Sequence, residues 1–225
     1  MNKLGFTLFI LSIMVIGCQA SAETREQTNK HAQTTVEETS SEESADLNEI
    51  EIPLQLSDHT YTFHSQKFPI LSSYIENFEN PAEKLHSLSF TPIGNDQFLA
   101  EFACHDDACS YLLLDFQRQT SFLLNDLSTL AKIQHSDDRA YIAFLFERSI
   151  EGQKKHHLTV MDLSAMEPVS IELKDGQKLI PKPDHYQYSI QSVTFMEDKQ
   201  IQIVSNAAAS ETEVAAGTKT VWMYN

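Results

Sequence analysis

The chain has 225 residues, of which 41% are hydrophobic and 21% are charged, a composition that suits one globular domain with tails and excludes a fully disordered protein. Thirty-two acidic residues against 16 basic ones give a net charge of −16, which repels phosphate backbones and excludes a nucleic-acid partner. Three cysteines, six glycines and seven prolines are too few for a disulfide-rich miniprotein, a collagen-like chain or a glycine-rich nucleotide-binding protein.

The N-terminus combines a basic start at Lys3 with an uncharged, mostly apolar run from Leu4 to Ile16. This run has the length of a signal-peptide core and is too short for a comfortable membrane span. It ends in Val15-Ile16-Gly17-Cys18, where a branched apolar residue lies three places before a cysteine and a small residue directly precedes it. This order resembles the lipobox of bacterial lipoproteins, although Ile16 is bulkier than the alanine or serine usual at its position.

The resemblance implies that residues 1–17 are removed as a signal peptide and that Cys18, with a diacylglycerol on its sulfur, becomes the first mature residue. Two acyl chains hold a protein on a membrane far better than one. We therefore predict a lipid anchor on the extracytoplasmic face of the cell membrane, with no transmembrane helix in the mature chain. The alternatives are an ordinary cleaved leader with a free cysteine and an uncleaved anchor.

Residues 18–47 form the predicted tether. From Gln19 to Leu47 the chain has no glycine, proline or aromatic residue and is rich in Ser, Thr, Gln and Glu. Such a segment cannot bury enough apolar surface to offset the entropy of ordering it. We predict a disordered acidic stalk that lifts a domain of residues 48–225 away from the lipid. A frayed helix around residues 32–43 is the alternative.

Residues 48–225 are predicted to be mainly β, because runs of β-branched and aromatic residues recur along them. Three stretches share one order of elements: an apolar strand, a polar turn, a second strand, a variable loop and a third strand. The copies span Leu88–Leu124, Ala131–Leu173 and Ser192–Asn225, and the third copy lacks the fourth strand of the others. We expect Glu49–Leu56 to cover that open edge, with Pro53 on its unpaired side.

The second copy contains SDDRAYIAF, starting at Ser136, and HLTVMDL, starting at His157. It resembles blades of TolB-like and related bacterial β-propellers, in which a Ser-Pro-Asp-Gly turn precedes an apolar strand and a later strand ends in Asp-Leu. This sequence lacks the proline and glycine of that turn. Asp115 and Asp162 occupy matching places in the first two copies. The predicted fold is mainly β with antiparallel blade-like repeats, either small and propeller-like or a sandwich or partly open barrel.

Two further patterns interrupt the strands. Apolar residues at helical spacing between Ile70 and Phe78, and the start signal Asn80-Pro81, predict a short helix. The stretches Glu147–His156 and Asp175–Tyr188 are polar, so we predict loops there that build any binding face.

Cys104 and Cys109 flank the tip of a predicted hairpin, which brings their sulfurs within reach of each other. Outside the cytoplasm a disulfide is the expected outcome, and closing so small a loop would stabilise the fold by about 2 kcal/mol. Two alternatives stay open. One is a metal site that adds His105, Asp106 and Asp107 to the cysteines, and the other is a redox-active pair.

Three other groups of residues could carry a function. The turn His135–Asp138 repeats the pattern of one histidine and two acids, and could approach the cysteine hairpin if the repeats stack. The basic stretch Lys154–His157 could meet an anionic partner. Trp222, Phe195 and Tyr224 could stack on a sugar. The structural alternatives are a solvated turn, a solvated loop and core packing, respectively.

The sequence contains no Gly-x-Ser-x-Gly elbow, no His-Glu-x-x-His and no phosphate-binding loop. We therefore predict a membrane-anchored lipoprotein that binds another envelope protein through its loops, without catalysis and without a cofactor. A lipoprotein that binds a small ligand or a metal is the alternative. An extracytoplasmic hydrolase with an unrecognised site is a third interpretation.

Overall fold

The computed structural model describes residues 49–176, 180–206 and 217–225, all of which belong to the unit that extends from Asp46 to Asn225. The predicted signal peptide at 1–17, the lipid-attachment residue Cys18 and the tether at 18–47 lie outside the described residues. The leader, the tether and the boundary at residue 48 therefore stay predictions.

The described residues form thirteen strands and two short helices, which confirms the mainly β prediction. The first half of the chain contains β1 (Glu51–Leu56), β2 (His59–His64), α1 (Pro69–Ile75), α2 (Pro81–His86), β3 (Ser89–Pro92), β4 (Gln97–His105), β5 (Ala108–Asp115) and β6 (Thr120–His135). The second half contains β7 (Tyr141–Ile150), β8 (Gln153–Asp162), β9 (Glu167–Pro168), β10 (Ile171–Leu173), β11 (Ile190–Met196), β12 (Gln200–Ser205) and β13 (Thr218–Tyr224).

The strands form three antiparallel sheets that do not close into a barrel. One sheet is the hairpin β1–β2. The second is a seven-stranded meander in which β3 to β9 follow one another in chain order, and the third has the order β10-β13-β12-β11. The first two predicted repeats therefore share one sheet, except that the last strand of the second, β10, joins the third repeat in another sheet.

Three apolar cores lie between the packed parts of these sheets. The first core lies between one face of β4–β5 and the hairpin β1–β2 with both helices. The second core lies between the other face of β4–β5 and β7–β8, and the third lies between β7–β8 and the four-stranded sheet. Leu112 and Leu114 belong to the first core and Leu113 to the second. Both faces of β5 are thus buried, which explains its continuous apolar run.

The open edge of the third repeat is covered by β10, so the expectation that Glu49–Leu56 would cover it is wrong. Residues Ile171–Leu173 pair with β13, whereas β1 pairs with β2 alone among the described strands. The predicted strand Pro168–Leu173 divides in two, because Pro168 pairs with β8 before the chain crosses to the next sheet. The apolar face of β1 is occupied by the first core, so it is not available to the third repeat.

Pro53 lies on the edge of β1 that faces away from β2, so it is on an unpaired side, but in a strand whose partner is not the predicted one. Its carbonyl oxygen accepts a hydrogen bond from Nε2 of His86 at 2.8 Å, outside the β1–β2 ladder. The N–H and C=O groups of one strand residue point to the same side, so the missing N–H of proline costs the ladder nothing here.

The two aspartates predicted to match play the same role in their repeats. Asp115 Oδ1 accepts the N–H of Arg118 at 2.8 Å, and Asp162 Oδ1 accepts the N–H of Ala165 at 3.0 Å. In both repeats an aspartate at the end of the third strand therefore stabilises the turn that follows.

The sixteen-residue strand β6 joins the first two repeats, where separate strands were predicted. Its first part, Thr120–Asn125, pairs with β5, and its second part, Thr129–His135, pairs with β7. Between them Leu127 has a positive φ of 43°. This residue bends the strand, so that one continuous segment pairs with β5 before the bend and with β7 after it.

The stretch Glu147–His156 was predicted to be a loop, and this is wrong. β7 continues to Ile150 and β8 starts at Gln153, leaving Glu151 and Gly152 as a two-residue turn. Both turn residues have positive φ, 54° and 75°, the conformation that fits the twist of a tight hairpin. The strands are polar there because their ends extend beyond the apolar cores.

The predicted helical region contains two short helices. α1 begins with Pro69 and buries Leu71 and Ile75, and α2 begins with Pro81. The side chain of Asn80 caps α2 by accepting the N–H of Glu83 at 3.2 Å. Both helices pack on the first core.

Candidate binding surface

The cysteine hairpin at the end of β4–β5 has the predicted disulfide. The sulfurs of Cys104 and Cys109 lie 2.09 Å apart. The pairing of the two strands shifts between Phe102 and His105, where Ala103 has a φ of 49°. The disulfide closes the hairpin beyond this irregularity and therefore holds the register of its tip.

The disulfide removes the thiolates that the metal alternative needs, whereas the redox alternative stays a prediction, because a redox-active pair also forms a disulfide when oxidised. Bonded sulfurs cannot act as thiolate ligands. The side chains of His105 and Asp106 are each 88% exposed and approach each other to 3.6 Å. Thr129 donates its hydroxyl to the carbonyl oxygen of Asp107 at 2.8 Å, which attaches the tip to β6.

A different group, which the sequence did not reveal, brings three metal-ligating side chains together. Nδ1 of His64 lies 3.3 Å from a carboxylate oxygen of Glu49 and 3.6 Å from one of Glu51. Glu51 begins β1 directly opposite His64, and Glu49 lies two residues before it, so only the strand register shows the group. Exposed acids beside a histidine occur commonly without a metal.

The turn His135–Asp138 is a structural turn. Asp138 Oδ1 accepts the hydroxyl of Ser136 at 2.6 Å and the N–H of Ala140 at 3.0 Å, and these bonds lower the pKa of Asp138. The turn borders a cavity of about 250 Å³ that the turn Glu197–Lys199 also lines. It does not meet the cysteine hairpin, which contacts the middle of β6, so the expected approach of these two turns is wrong.

The three aromatic residues proposed for sugar stacking belong to or border a core. Trp222 and Tyr224 are 1% and 4% exposed, and Phe195 packs edge-on against Tyr224 with a centroid distance of 5.6 Å. The indole N–H of Trp222 donates to Thr220 Oγ1 at 2.9 Å. These rings stabilise the third core and offer no exposed stacking platform.

The basic stretch Lys154–His157, which could meet an anionic partner, contains one buried side chain, that of His156. His156 is 7% exposed, and its Nδ1 accepts the N–H of Ile190 at 3.0 Å. Its Nε2 lies 3.4 Å from Glu147, which also pairs with Lys154 at 2.8 Å. Burial lowers the pKa of His156 and outweighs the opposing effect of Glu147, so the imidazole is neutral with its proton on Nε2.

His157 points to the opposite face of β8. Its ring packs against Tyr186 with a centroid distance of 5.3 Å, and its Nε2 lies 3.0 Å from Thr159 Oγ1. Burial is the main cause of its lowered pKa. Both histidines of the stretch therefore serve packing at neutral pH, and neither adds a positive charge there.

The described part of the connection between β10 and β11 lies along the free edge of β8. The N–H of Leu158 donates to Pro183 O at 2.7 Å, and the N–H of His156 donates to Tyr188 O at 3.0 Å. Tyr188 in turn donates its hydroxyl to Pro181 O at 2.9 Å, and burial raises its pKa. As predicted, the connection is not a strand. Its carbonyl oxygens nevertheless accept backbone hydrogen bonds from the end of β8.

Tyr186 extends this connection towards β6. Its hydroxyl donates to Asn125 Oδ1 at 2.7 Å. The guanidinium of Arg148 lies 4.5 Å from the ring centroid of Tyr186 and donates through Nε to Leu127 O at 3.1 Å. The Arg148 cation is thereby directed towards the bend in β6.

A polar cavity of about 550 Å³ opens where this connection meets the β7–β8 hairpin, and we name it the lysine hollow. Its lining residues are Gln153, Lys154, Lys155, Gln187, Tyr188, Ser189 and Asn206. The sequence placed Lys154 and Lys155 in a candidate site, whereas Gln187, Ser189 and Asn206 come from distant positions that no local pattern connects to them.

A second cavity, of about 630 Å³, separates the outer edge of β1 from the start of β3. Leu54 and Phe90 lie on its two walls, and His86 bridges it through the hydrogen bond to Pro53 O. The proline and this bridge protect the edge of β1 against pairing with another strand.

No family model matches this chain, and no curated protein matches it significantly. Within the described ranges, no helix is long and apolar enough to cross a membrane.

Proposed function

We propose that this chain is a lipid-anchored extracytoplasmic protein that acts as a non-catalytic interaction module in the cell envelope. The leader that resembles a lipobox supports the anchor at Cys18, and the acidic segment that follows supports a tether. The structural observation that carries the proposal is the Cys104–Cys109 disulfide, because such bonds persist in oxidising compartments and are rare in the cytosol.

The layered fold supports a role in binding. Three stacked cores hold the sheets, and the connection that lies along β8 displays polar and basic side chains at their edge. A rigid scaffold that carries polar loops at its edge is typical of binding proteins. The partner we propose is another envelope protein.

The anchor is tested with Cys18→Ser. In cells, the wild-type protein is expected in the membrane fraction with an acyl mass on its first mature residue, and Cys18→Ser is expected to lose both. The double variant Cys104→Ser/Cys109→Ser is the matched control, because it removes two cysteines and leaves Cys18. A Cys18→Ser protein that stays membrane-bound and processed as before would contradict the anchor.

The interaction is tested by crosslinking the tagged, lipidated protein in cells and identifying what co-purifies. A form without residues 48–225 controls for contacts of the anchor and tether. We expect a partner in near-stoichiometric amount that depends on residues 48–225. If both forms capture the same proteins, the interaction role is overturned.

A further inference from the structure

The lysine hollow has the composition of an anion site within an acidic protein. Its lining residues include two lysines, three residues with side-chain amides and Ser189, and none of the described lining residues is an acid. Acids outnumber bases two to one in the whole chain. A cavity lined by cations and hydrogen-bond donors is therefore a local exception to the charge of the molecule.

The two lysines differ in how far they are neutralised. Lys154 pairs with Glu147 at 2.8 Å. Lys155 is half-buried and forms no ion pair with a carboxylate in the part of the chain that the structure describes. It also stands directly opposite Arg148 in the β7–β8 register. The Arg148 guanidinium itself donates to Leu127 O in the bend of β6, so Lys155 is the lysine of the hollow that has no described carboxylate partner.

Hydrogen bonds hold the donors of the hollow in place. The backbone N–H of Asn206 donates to Ser189 O at 2.9 Å, and Asn206 Oδ1 accepts from Gln191 Nε2 at 2.6 Å. Because its oxygen is engaged, the amide of Asn206 presents its NH₂ group as the remaining donor. Tyr188 O is engaged by the N–H of His156. These three acceptors are thus used within the protein, whereas the Asn206 amide and the lysines remain as donors.

We propose that the lysine hollow binds a small solute through an oxyanion, a carboxylate or a phosphate, with Lys155 as the principal charged contact. Charge-assisted hydrogen bonds from ammonium groups to oxyanions are short and strong. A volume of about 550 Å³ lies within the range of small-molecule sites, so the hollow accommodates more than the anionic group itself. This binding requires neither the lipid anchor nor a protein partner, so it extends beyond the proposed function.

The experiment is calorimetric titration of the full-length protein in detergent with two probes, inorganic phosphate and citrate, at constant ionic strength. We expect saturable binding of at least one probe, and comparison of the two identifies the preferred oxyanion. Lys155→Gln should weaken binding about tenfold or more, because a hydrogen bond to a charged group contributes that much affinity. Lys154→Gln should weaken it less, since Glu147 already neutralises part of that charge.

Lys219→Gln is the matched control, because Lys219 is exposed on β13 and does not line the hollow. It should bind the probes like the wild type, and Lys155→Arg should recover most of the lost affinity. The melting temperature without probe shows that each variant is folded. The proposal is overturned if neither probe binds below about 10 mM, or if Lys155→Gln and Lys219→Gln lose affinity equally, the result expected of non-specific charge.

Discussion

The hairpins β4–β5 and β7–β8 lie in one sheet and occupy matching places in two predicted repeats, yet they are stabilised by different means. A disulfide between Cys104 and Cys109 closes the first hairpin near its tip. The second ends in the tight turn Glu151–Gly152, and its outer strand is held by the connection that follows β10. The first hairpin therefore carries its constraint within itself, whereas the second depends on a segment more than twenty residues away in the chain.

The first hairpin is thus constrained by a covalent bond, and the second by tertiary contacts. The disulfide acts mainly by restricting the conformations of the unfolded chain, and it needs no contact with another element of the fold. The contacts between His156, Tyr188 and Ile190 exist only when the sheet and the connection are both in place. We therefore expect the tip of the first hairpin to keep its register under mild destabilisation, and the end of the second to open first.

The largest effect is expected from Phe146→Ala, which removes a ring shared by both hairpins. Phe146 is fully buried and packs against Tyr111 of the first hairpin at a centroid distance of 5.2 Å. Loss of a buried phenyl ring should lower the free energy of unfolding by about 3–5 kcal/mol. Urea titration measures this change, and Leu123→Ala, at a position 41% exposed, is the control with little effect. Equal losses in the two variants would contradict the assigned core.

Removal of the disulfide is expected to have the next largest effect. Cys104→Ser/Cys109→Ser should lower the free energy of unfolding by about 2 kcal/mol, because the unfolded chain gains the freedom of a short loop. Hydrogen exchange should show faster opening at residues 104–109 and unchanged protection in β7 and β8. Equal loss of protection in both hairpins would show that they are not independently stabilised.

A smaller effect is expected from Gly152→Ala in the turn of the second hairpin. Gly152 has a φ of 75°, and an added Cβ would meet nothing within 4 Å, so only backbone strain opposes the alanine. The free energy of unfolding should fall by about 1 kcal/mol. Thermal unfolding measures this loss. Gly152→Asn is the control, since asparagine tolerates positive φ better than alanine, and it should lose less.

The smallest effect is the dependence of stability on pH through His156. Its pKa is lower in the folded protein than the ordinary value near 6.5, so the unfolded chain takes up a proton first as the pH falls. The contribution of neutral His156 is present above about pH 6.5 and is lost as the pH falls below it. Denaturant titrations at pH 7.5 and 5.5 measure this loss.

The matched variant is His156→Asn, whose side-chain oxygen can still accept the N–H of Ile190. It should show a smaller loss of stability between the two pH values than the wild type. The remaining loss is assigned to His157 and His135, whose pKa values burial also lowers. If His156→Asn changes stability equally at both pH values, the histidine does not contribute to the pH dependence.

Much of the candidate surface could be predicted because its residues are close in sequence. Cys104 and Cys109 pair across a short hairpin, and Lys154 and Lys155 stand together at the start of β8. The loop predicted at 147–156 is wrong because polar residues do not exclude strands. A hairpin that extends beyond its cores needs no apolar side chains at its end, since its backbone hydrogen bonds suffice. Glu49, Glu51 and His64, by contrast, meet only through strand register.

The sequence by itself determined the mainly β class, the matching places of Asp115 and Asp162, the helix start at Asn80 and the cysteine pair, because each depends on local spacing or periodicity. Tertiary structure alone decided that β10 covers the third repeat, that β6 serves two layers and that the connection along β8 completes the lysine hollow. Each of these arrangements depends on which strand edges and sheet faces remain uncovered when the sheets pack together. That information is distributed over residues far apart in the chain, and no local pattern contains it.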